Sequence, residues 1–172
     1  FWTSRELWER QFIITGKVIR MGKMNCYSPV SGEVVDLDKV KDPVFAGRVL
    51  GDGTAVYPAE TTVSAPVDGV LKLMLHTGHA FVIETESGDE IMVHIGVNTV
   101  AYQGKGFEVL KKQGEKVYAG EEVVRFSPDY LSSSDMTTMV ILMDEKKKKK
   151  VTETKKGACT RGKDIILKWK SL

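Results

Sequence analysis

The sequence lacks any apolar run of the roughly twenty residues that a membrane-spanning helix needs. Its opening segment also lacks the plan of a signal peptide, in which a basic start precedes a long apolar middle. The first residue is Phe1 rather than methionine, which predicts a fragment, a processed chain or one domain of a longer protein. A length of 172 residues favours a single domain with a substantial core.

Cysteine and histidine are both scarce. Only Cys26 and Cys159 occur; a disulfide between them stays open, but two reduced thiols in a cytosolic protein are the better expectation. The 3 histidines form no His-x-His motif and have no flanking carboxylate. Zinc hydrolysis needs about three protein ligands and a water, so a metallopeptidase is disfavoured.

Charge is uneven along the chain, although the net charge is only +2. Residues 1–24 and 144–172 are basic, whereas residues 25–143 are acidic. An acidic body favours a basic protein partner and argues against nucleic acid. Lysine runs such as Lys146–Lys150 are also found in sites that bind RNA or anionic lipid. No aromatic residues interleave with it, so a solvated turn is the preferred interpretation.

Alternating apolar and polar residues predict an all-β protein. The predicted strands are Gln11–Ile19, Gly32–Asp36, Ala55–Pro58, Thr62–Ser64, Gly69–Leu75, Ala80–Glu84, Glu90–Ile95, Glu122–Phe126, Met139–Met143 and Ile165–Lys170.

Glycine-containing turns are predicted at Gly51–Gly53 and Ser87–Asp89. Short helical turns are expected at Leu37–Val40, Pro43–Val49, Gly106–Leu110 and Pro128–Ser132, with Asp42 capping the second and Ser127 the last.

Two weak internal repeats indicate that one β-unit is used twice. Ser28–Val34 resembles Ala65–Leu71, and Gly114–Gly120 resembles Gly157–Gly162. Paired units predict a pseudo-symmetric β-sandwich or a partly closed barrel.

His94 lies in the middle of an alternating apolar strand. Ile91, Val93 and Ile95 share one face, which we expect to enter the core, so His94 is presented on the other face of a rigid element. Imidazole is well suited near neutral pH to act as a nucleophile, base or ligand. A second histidine block contains His76 and His79, and the two blocks together predict a site.

Five motifs in order carry a resemblance to a known family. They are Asp42–Ala46, Gly51–Gly53, Ala65–Gly69, Thr77–Phe81 and His94–Val100. Together they resemble the glucose-family enzyme IIA domain of the bacterial phosphoenolpyruvate-dependent sugar phosphotransferase system. The similarity runs roughly from Asn25 to Trp169. It implies an antiparallel β-sandwich of the duplicated hybrid-motif type, formed by residues 25–172, with residues 1–24 as an extension or linker.

The resemblance implies a phosphocarrier that acts as a component of a phosphotransferase. His94 would accept a phosphoryl group from the histidine phosphocarrier protein and pass it to a cysteine of a sugar-specific enzyme IIB. The expected location is the cytoplasm, with a membrane reached only through a permease. No cofactor is implied beyond the covalent phosphoryl group; an incidental zinc ion at His79 and His94 stays open.

The resemblance also assigns roles at the site. One nitrogen of His94 would accept the phosphoryl group while the other donates to a backbone carbonyl, and Gly96 fits as the residue that supplies it. His79 would donate to a phosphoryl oxygen, with Thr77 orienting its ring. His76 has no counterpart and is expected to be exposed.

An apolar rim for protein partners is expected around His94. Its members are Val44, Phe45, Val49, Leu75 and Met92, with Asn98 beside them. Asn98 and Lys105 stand where relatives usually carry acids, which puts affinity for a basic donor in doubt.

The other function considered is a biotinyl or lipoyl carrier, for which Gly22-Lys23-Met24 is a faint signal. The sequence names no sugar and does not distinguish a free protein from a permease domain.

Overall fold

The computed structural model describes residues 11–14, 17–20 and 24–172, with side chains from Met24 onward. Within these ranges the strands are β1 (Gln11–Ile14), β2 (Lys17–Arg20), β3 (Met24–Tyr27), β4 (Gly32–Val35), β5 (Gly51–Pro58), β6 (Thr62–Ser64), β7 (Gly69–Met74), β8 (Ala80–Glu84), β9 (Glu90–Ile95), β10 (Phe107–Val109), β11 (Lys116–Val117), β12 (Glu122–Phe126), β13 (Thr138–Met143), β14 (Lys149–Thr154), β15 (Gly157–Cys159) and β16 (Ile165–Ser171). The helices are α1 (Pro43–Ala46), α2 (Pro128–Ser133) and two 3-10 turns, Leu37–Lys39 and Thr99–Tyr102.

The fold is an antiparallel β-sandwich, as the sequence predicts. An eight-stranded sheet runs in the order β11-β7-β8-β9-β13-β5-β4-β15. Two three-stranded sheets, β10-β12-β6 and β14-β16-β3, contribute to the same core, and β1 pairs with β2 in a separate hairpin. No helix among the described residues has the length and apolar composition required to cross a membrane.

The large sheet has apolar clusters on both faces, and β13 separates them. Val140 and Leu142 of β13 belong to the main core between the sheets. Met139 and Ile141 point the other way, into a smaller cluster formed with Leu37 and other residues beside α1. Successive strand residues face opposite sides, so a strand in this position is apolar throughout.

The last strand is anchored by a hydrogen bond to a distant turn. Trp169 on β16 is 1% exposed, and its indole Nε1–H donates to Asp89 Oδ2 at 3.1 Å. Lys149 on β14 forms an ion pair with the same carboxylate at 2.7 Å. The C-terminal sheet is thereby attached to the turn that precedes β9.

The repeated glycine loops meet each other. A Cβ on Gly162 would lie 3.1 Å from the Cα of Gly120, so the two related loops leave little room for a side chain.

Cys26 and Cys159 are buried free thiols, as expected for the reduced state.

Most strand predictions are confirmed, and four of them match to the residue: Thr62–Ser64, Ala80–Glu84, Glu90–Ile95 and Glu122–Phe126. Asp42 caps α1 as predicted, since its Oδ1 accepts from the amide of Val44 at 2.9 Å. Ser127 precedes α2 but its side chain makes no cap hydrogen bond.

Three further predictions about secondary structure are wrong, and a fourth is confirmed only in part. Gln11–Ile19 is not one strand, because β1 and β2 pair as a hairpin. Gly106–Leu110 is not helical, since Phe107–Val109 pairs with β12. The predicted turn Gly51–Gly53 begins strand β5. The lysine run is only partly a turn, because β14 begins at Lys149.

The glycines of β5 are required by close packing rather than by a turn. A Cβ on Gly53 would lie 2.0 Å from the carbonyl oxygen of Val140, and a Cβ on Gly51 would lie 1.9 Å from that of Leu142. No side chain fits at these distances, so the glycines allow β5 to pair with β13.

We expect Gly53→Ala to destabilise the domain by about 3 kcal/mol or more, because the methyl group forces the two strands apart. Gly88→Ala is the control, since a Cβ there meets nothing within 4 Å and only the positive φ of 84° is strained. That strain costs about 1 kcal/mol. Urea unfolding of both variants measures the difference; equal losses would contradict the packing argument.

Candidate phosphoryl-transfer site

His94 is held at the centre of the large sheet. It lies opposite Ala80 of β8 and Met139 of β13. Its neighbours Ile91, Val93 and Ile95 are fully buried in the main core, as predicted. The alternation therefore fixes the His94 ring on the opposite face, where it is half-buried beside the smaller cluster.

A single hydrogen bond defines the tautomer of His94. Its Nδ1 lies 2.9 Å from the carbonyl oxygen of Gly96. A carbonyl oxygen only accepts, so Nδ1 carries the proton and Nε2 keeps a free lone pair. The predicted pairing of His94 with the Gly96 carbonyl is thus present in the geometry.

Gly96 can only be glycine in this arrangement. Its φ is +78°, and a Cβ would lie 2.4 Å from Cγ2 of Thr99 and 3.1 Å from the carbonyl oxygen of Asp135. The amide of Gly96 donates to the carbonyl of Thr137 at 3.1 Å. This turn therefore holds the accepting carbonyl still.

Burial makes His94 difficult to protonate. Desolvation, with a smaller contribution from the neighbouring His79, lowers the pKa of His94 from 6.5 to about 4. The Gly96 carbonyl and the Asp42 carboxylate oppose these effects but are outweighed. At neutral pH the imidazole is uncharged and its Nε2 is a free nucleophile.

His79 lies beside His94 with its ring edge-on. The two ring centroids are 5.1 Å apart and the planes meet at 78°. Oγ1 of Thr77 lies 2.6 Å from Nδ1 of His79, so these two residues are paired as predicted. His79 is buried, and burial lowers its pKa with a further contribution from His76. His76 itself is exposed, as expected.

The residues predicted to form the rim differ in how far their side chains are exposed to solvent. Val44 is 41% and Val49 71% exposed. Leu75 and Met92 are half-buried, and Asn98 is exposed. Phe45 is only 5% exposed, with its ring 4.8 Å from that of His94. Phe45 thus forms a wall of the site rather than part of its outer surface.

Two contributions to the site were not predicted from the sequence. Asp42 acts on the charge of His94 as well as capping α1. The segment Asp135–Thr137 supports the Gly96 turn, because the Asp135 carbonyl accepts from the amide of Val97 at 2.8 Å. The sequence before β13 did not indicate this support, because the contact joins segments about 40 residues apart in the sequence.

The two histidines are not accompanied by a metal-binding set. No group of three or more His, Cys, Asp or Glu side chains arranged for a metal ion occurs among the residues that the structure describes. Gly22 and Lys23, the faint carrier signal, lie outside the described residues.

Comparison with known proteins gives a consistent result. The family model of the phosphoenolpyruvate-dependent sugar phosphotransferase system, EIIA 1, matches residues 24–148. The glucose permease IIA of Mycoplasma capricolum superposes with a TM-score of 0.79 and 33% identity, covering 85% of this chain and 95% of that one.

Curated relatives include free and fused proteins. The chain is 39% identical to the glucose-specific EIIA component of Bacillus cereus, over 65% of its own length and 68% of that protein. It is 45% identical to the N-acetylglucosamine-specific EIICBA component of Escherichia coli, over 62% of its length and 16% of that protein. It is 33% identical to the glucose-specific EIICBA component of Staphylococcus carnosus, over 89% of its length and 23% of that protein.

The chain therefore spans less than a quarter of these fused relatives and about two thirds of the free one. The motif resemblance, the sandwich and the family match agree over most of the sequence. The chain belongs to the EIIA family of the phosphoenolpyruvate-dependent sugar phosphotransferase system, of the glucose type.

Proposed function

We propose that His94 carries a phosphoryl group between two protein partners. The observation that supports this most directly is the Nδ1–H bond to Gly96, which leaves Nε2 unprotonated. The Nε2 lone pair attacks phosphorus on the phosphohistidine of the carrier protein. The donor's P–N bond breaks as the new one forms, and the donor imidazole takes back the electron pair.

Positive charge develops on the His94 ring as its P–N bond forms. The Gly96 carbonyl, already hydrogen-bonded to Nδ1, stabilises that charge without moving. In the second step a cysteine thiolate of a sugar-specific enzyme IIB attacks phosphorus. The P–S bond forms, the P–N bond breaks, and His94 returns to its neutral state.

His79 is proposed to stabilise the phosphoryl oxygens in transit. If the Thr77 hydroxyl donates to Nδ1 of His79, the ring proton is on Nε2 and can be donated to a phosphoryl oxygen. The two ring centroids are only 5.1 Å apart, so a phosphoryl group on His94 would lie close to the His79 ring. Phosphoryl transfer requires mainly positioning and charge stabilisation of this kind.

The partner surface is proposed to surround His94, with Val44 and Val49 as its most exposed apolar members. Leu75, Met92 and Asn98 complete it, while Phe45 supports His94 from below. Asn98 is neutral where an acid was expected, so attraction to a basic donor is reduced. The named relatives are specific for glucose or N-acetylglucosamine, and we propose a sugar of this class for the complete system.

A cytoplasmic setting, either free or within a permease, is part of the same proposal. The only group to be carried is the covalent phosphoryl; a zinc ion on His79 and His94 stays a prediction.

We expect His94→Ala to abolish phosphoryl acceptance. The chain is incubated with labelled phosphoenolpyruvate, enzyme I and the carrier protein, and acid-labile phosphate is mapped. His76→Ala is the matched control, because His76 is an exposed histidine outside the site, and it should retain the label. Label that persists in His94→Ala would remove His94 as the acceptor.

His79→Gln should still accept phosphate but pass it to enzyme IIB at least about tenfold more slowly, a barrier increase of about 1.4 kcal/mol. Glutamine keeps a donor but cannot become positively charged. Single-turnover transfer from the phosphorylated chain measures this step alone. An unchanged rate would show that His79 takes no part in it.

Histidine side-chain NMR should find His94 protonated on Nδ1 and neutral down to about pH 4, with free histidine in the same buffer as the reference.

The burial of neutral His94 also makes the free energy of unfolding depend on pH. Protonation of the unfolded chain begins near pH 6.5, so the stabilisation is complete above that value and is lost as the pH falls towards 4.

The loss amounts to about 3 kcal/mol for a pKa difference of this size. The free energy of unfolding, measured with urea at pH values between these limits, should therefore change more with pH for the natural chain than for His94→Gln. Identical pH profiles, or titration of His94 near 6.5, would contradict the assigned burial.

A further inference from the structure

A group of lysines at the C-terminal sheet has no role in phosphoryl transfer. We name this group the basic patch; it consists of Lys146, Lys147, Lys148, Lys150 and Lys170. All five are exposed. None forms an ion pair with any residue in the described part of the chain, whereas Lys168 nearby pairs with Glu153 at 3.1 Å.

The register of β14 and β16 concentrates this charge. Lys150 lies directly opposite Lys170 in the antiparallel pair. Like charges at opposed positions repel and destabilise a sheet. Asp144 accepts hydrogen bonds from the backbone amides of Lys148 and Lys149 at 3.0 and 2.9 Å, and Glu153 is paired with Lys168. Because no acid among the described residues forms an ion pair with Lys150 or Lys170, an external anion would relieve their repulsion.

The basic patch and His94 lie towards opposite ends of β9. Lys149 pairs with Asp89, which immediately precedes β9, whereas His94 is near the end of that strand. Four strand residues separate the two ends by about 13 Å. The strand next to the basic patch in sequence, β14, is thus attached at the end of β9 that is farther from His94.

We propose that the basic patch docks the domain on an anionic lipid surface. Residues 144–172 are basic whereas residues 25–143 are acidic, which orients the basic patch towards a flat negative plane and keeps the acidic body away. Leu172, 76% exposed, donates its amide to the Lys148 carbonyl and adds an apolar group there. Single-stranded nucleic acid fits less well, because the exposed patch offers no aromatic ring for stacking.

This inference goes beyond the proposed function and does not depend on it. The test is co-sedimentation of the full chain with phosphatidylglycerol–phosphatidylcholine vesicles and with phosphatidylcholine vesicles alone. We expect binding only to the anionic vesicles, and its loss at high salt. Lys150→Gln with Lys170→Gln should reduce partitioning about thirtyfold, since each surface lysine contributes about fivefold.

The matched control is Lys39→Gln with Lys112→Gln, which removes the same charge at exposed positions elsewhere and should retain most of the binding. Lys150→Arg with Lys170→Arg should bind as the natural chain does. Because the glutamine pair removes a repulsion, it should unfold at no lower temperature than the natural chain.

Equal losses in the glutamine pair and its control would overturn the proposal, since they would reflect net charge alone. Binding to single-stranded RNA without binding to anionic vesicles would overturn it in favour of nucleic acid. Phosphoryl acceptance by His94, measured on the same variants, should be unchanged, so failure of this inference is distinguishable from failure of the proposed function.

Discussion

The strict alternation of side chains along β9 is the constraint on which the rest of the site depends. Ile91, Val93 and Ile95 are fully buried in the main core, and a slip of one residue would expose all three. The cost of that exposure, about 2 kcal/mol for each large apolar side chain, keeps the register unique. His94 is therefore placed by residues that lie on the opposite face of its own strand.

The same packing gives His94 its chemical character. The smaller cluster beneath α1 brings Phe45 to 4.8 Å from the imidazole ring, and the resulting burial keeps the ring neutral. In this environment the ring stays uncharged, whereas a solvated histidine would be partly protonated near neutral pH. The Gly96 turn then selects which nitrogen is free, so burial and backbone geometry have separate effects on one side chain.

The sequence predicts those parts of the fold that follow from local pattern. Strands such as Ala80–Glu84 show clear alternation, and the motifs around His79 and His94 identify the two paired histidines. Contacts between distant segments leave no such pattern. Gly51 and Gly53 were interpreted as a turn because glycine favours turns, although they are needed for close approach to β13. The depth of Phe45 and the support of Gly96 by Asp135–Thr137 also depend on tertiary packing.

The hydrogen bond from Trp169 to Asp89 joins residues that are 80 positions apart, and Trp169 belongs to the main core. A ribosome must therefore synthesise nearly the whole domain, and release β16 from its exit tunnel, before this core can close. Until then β9 has formed no complete sandwich, and its apolar face is open to chaperones or to neighbouring nascent chains. Completion of the main core therefore depends on a strand that is synthesised late.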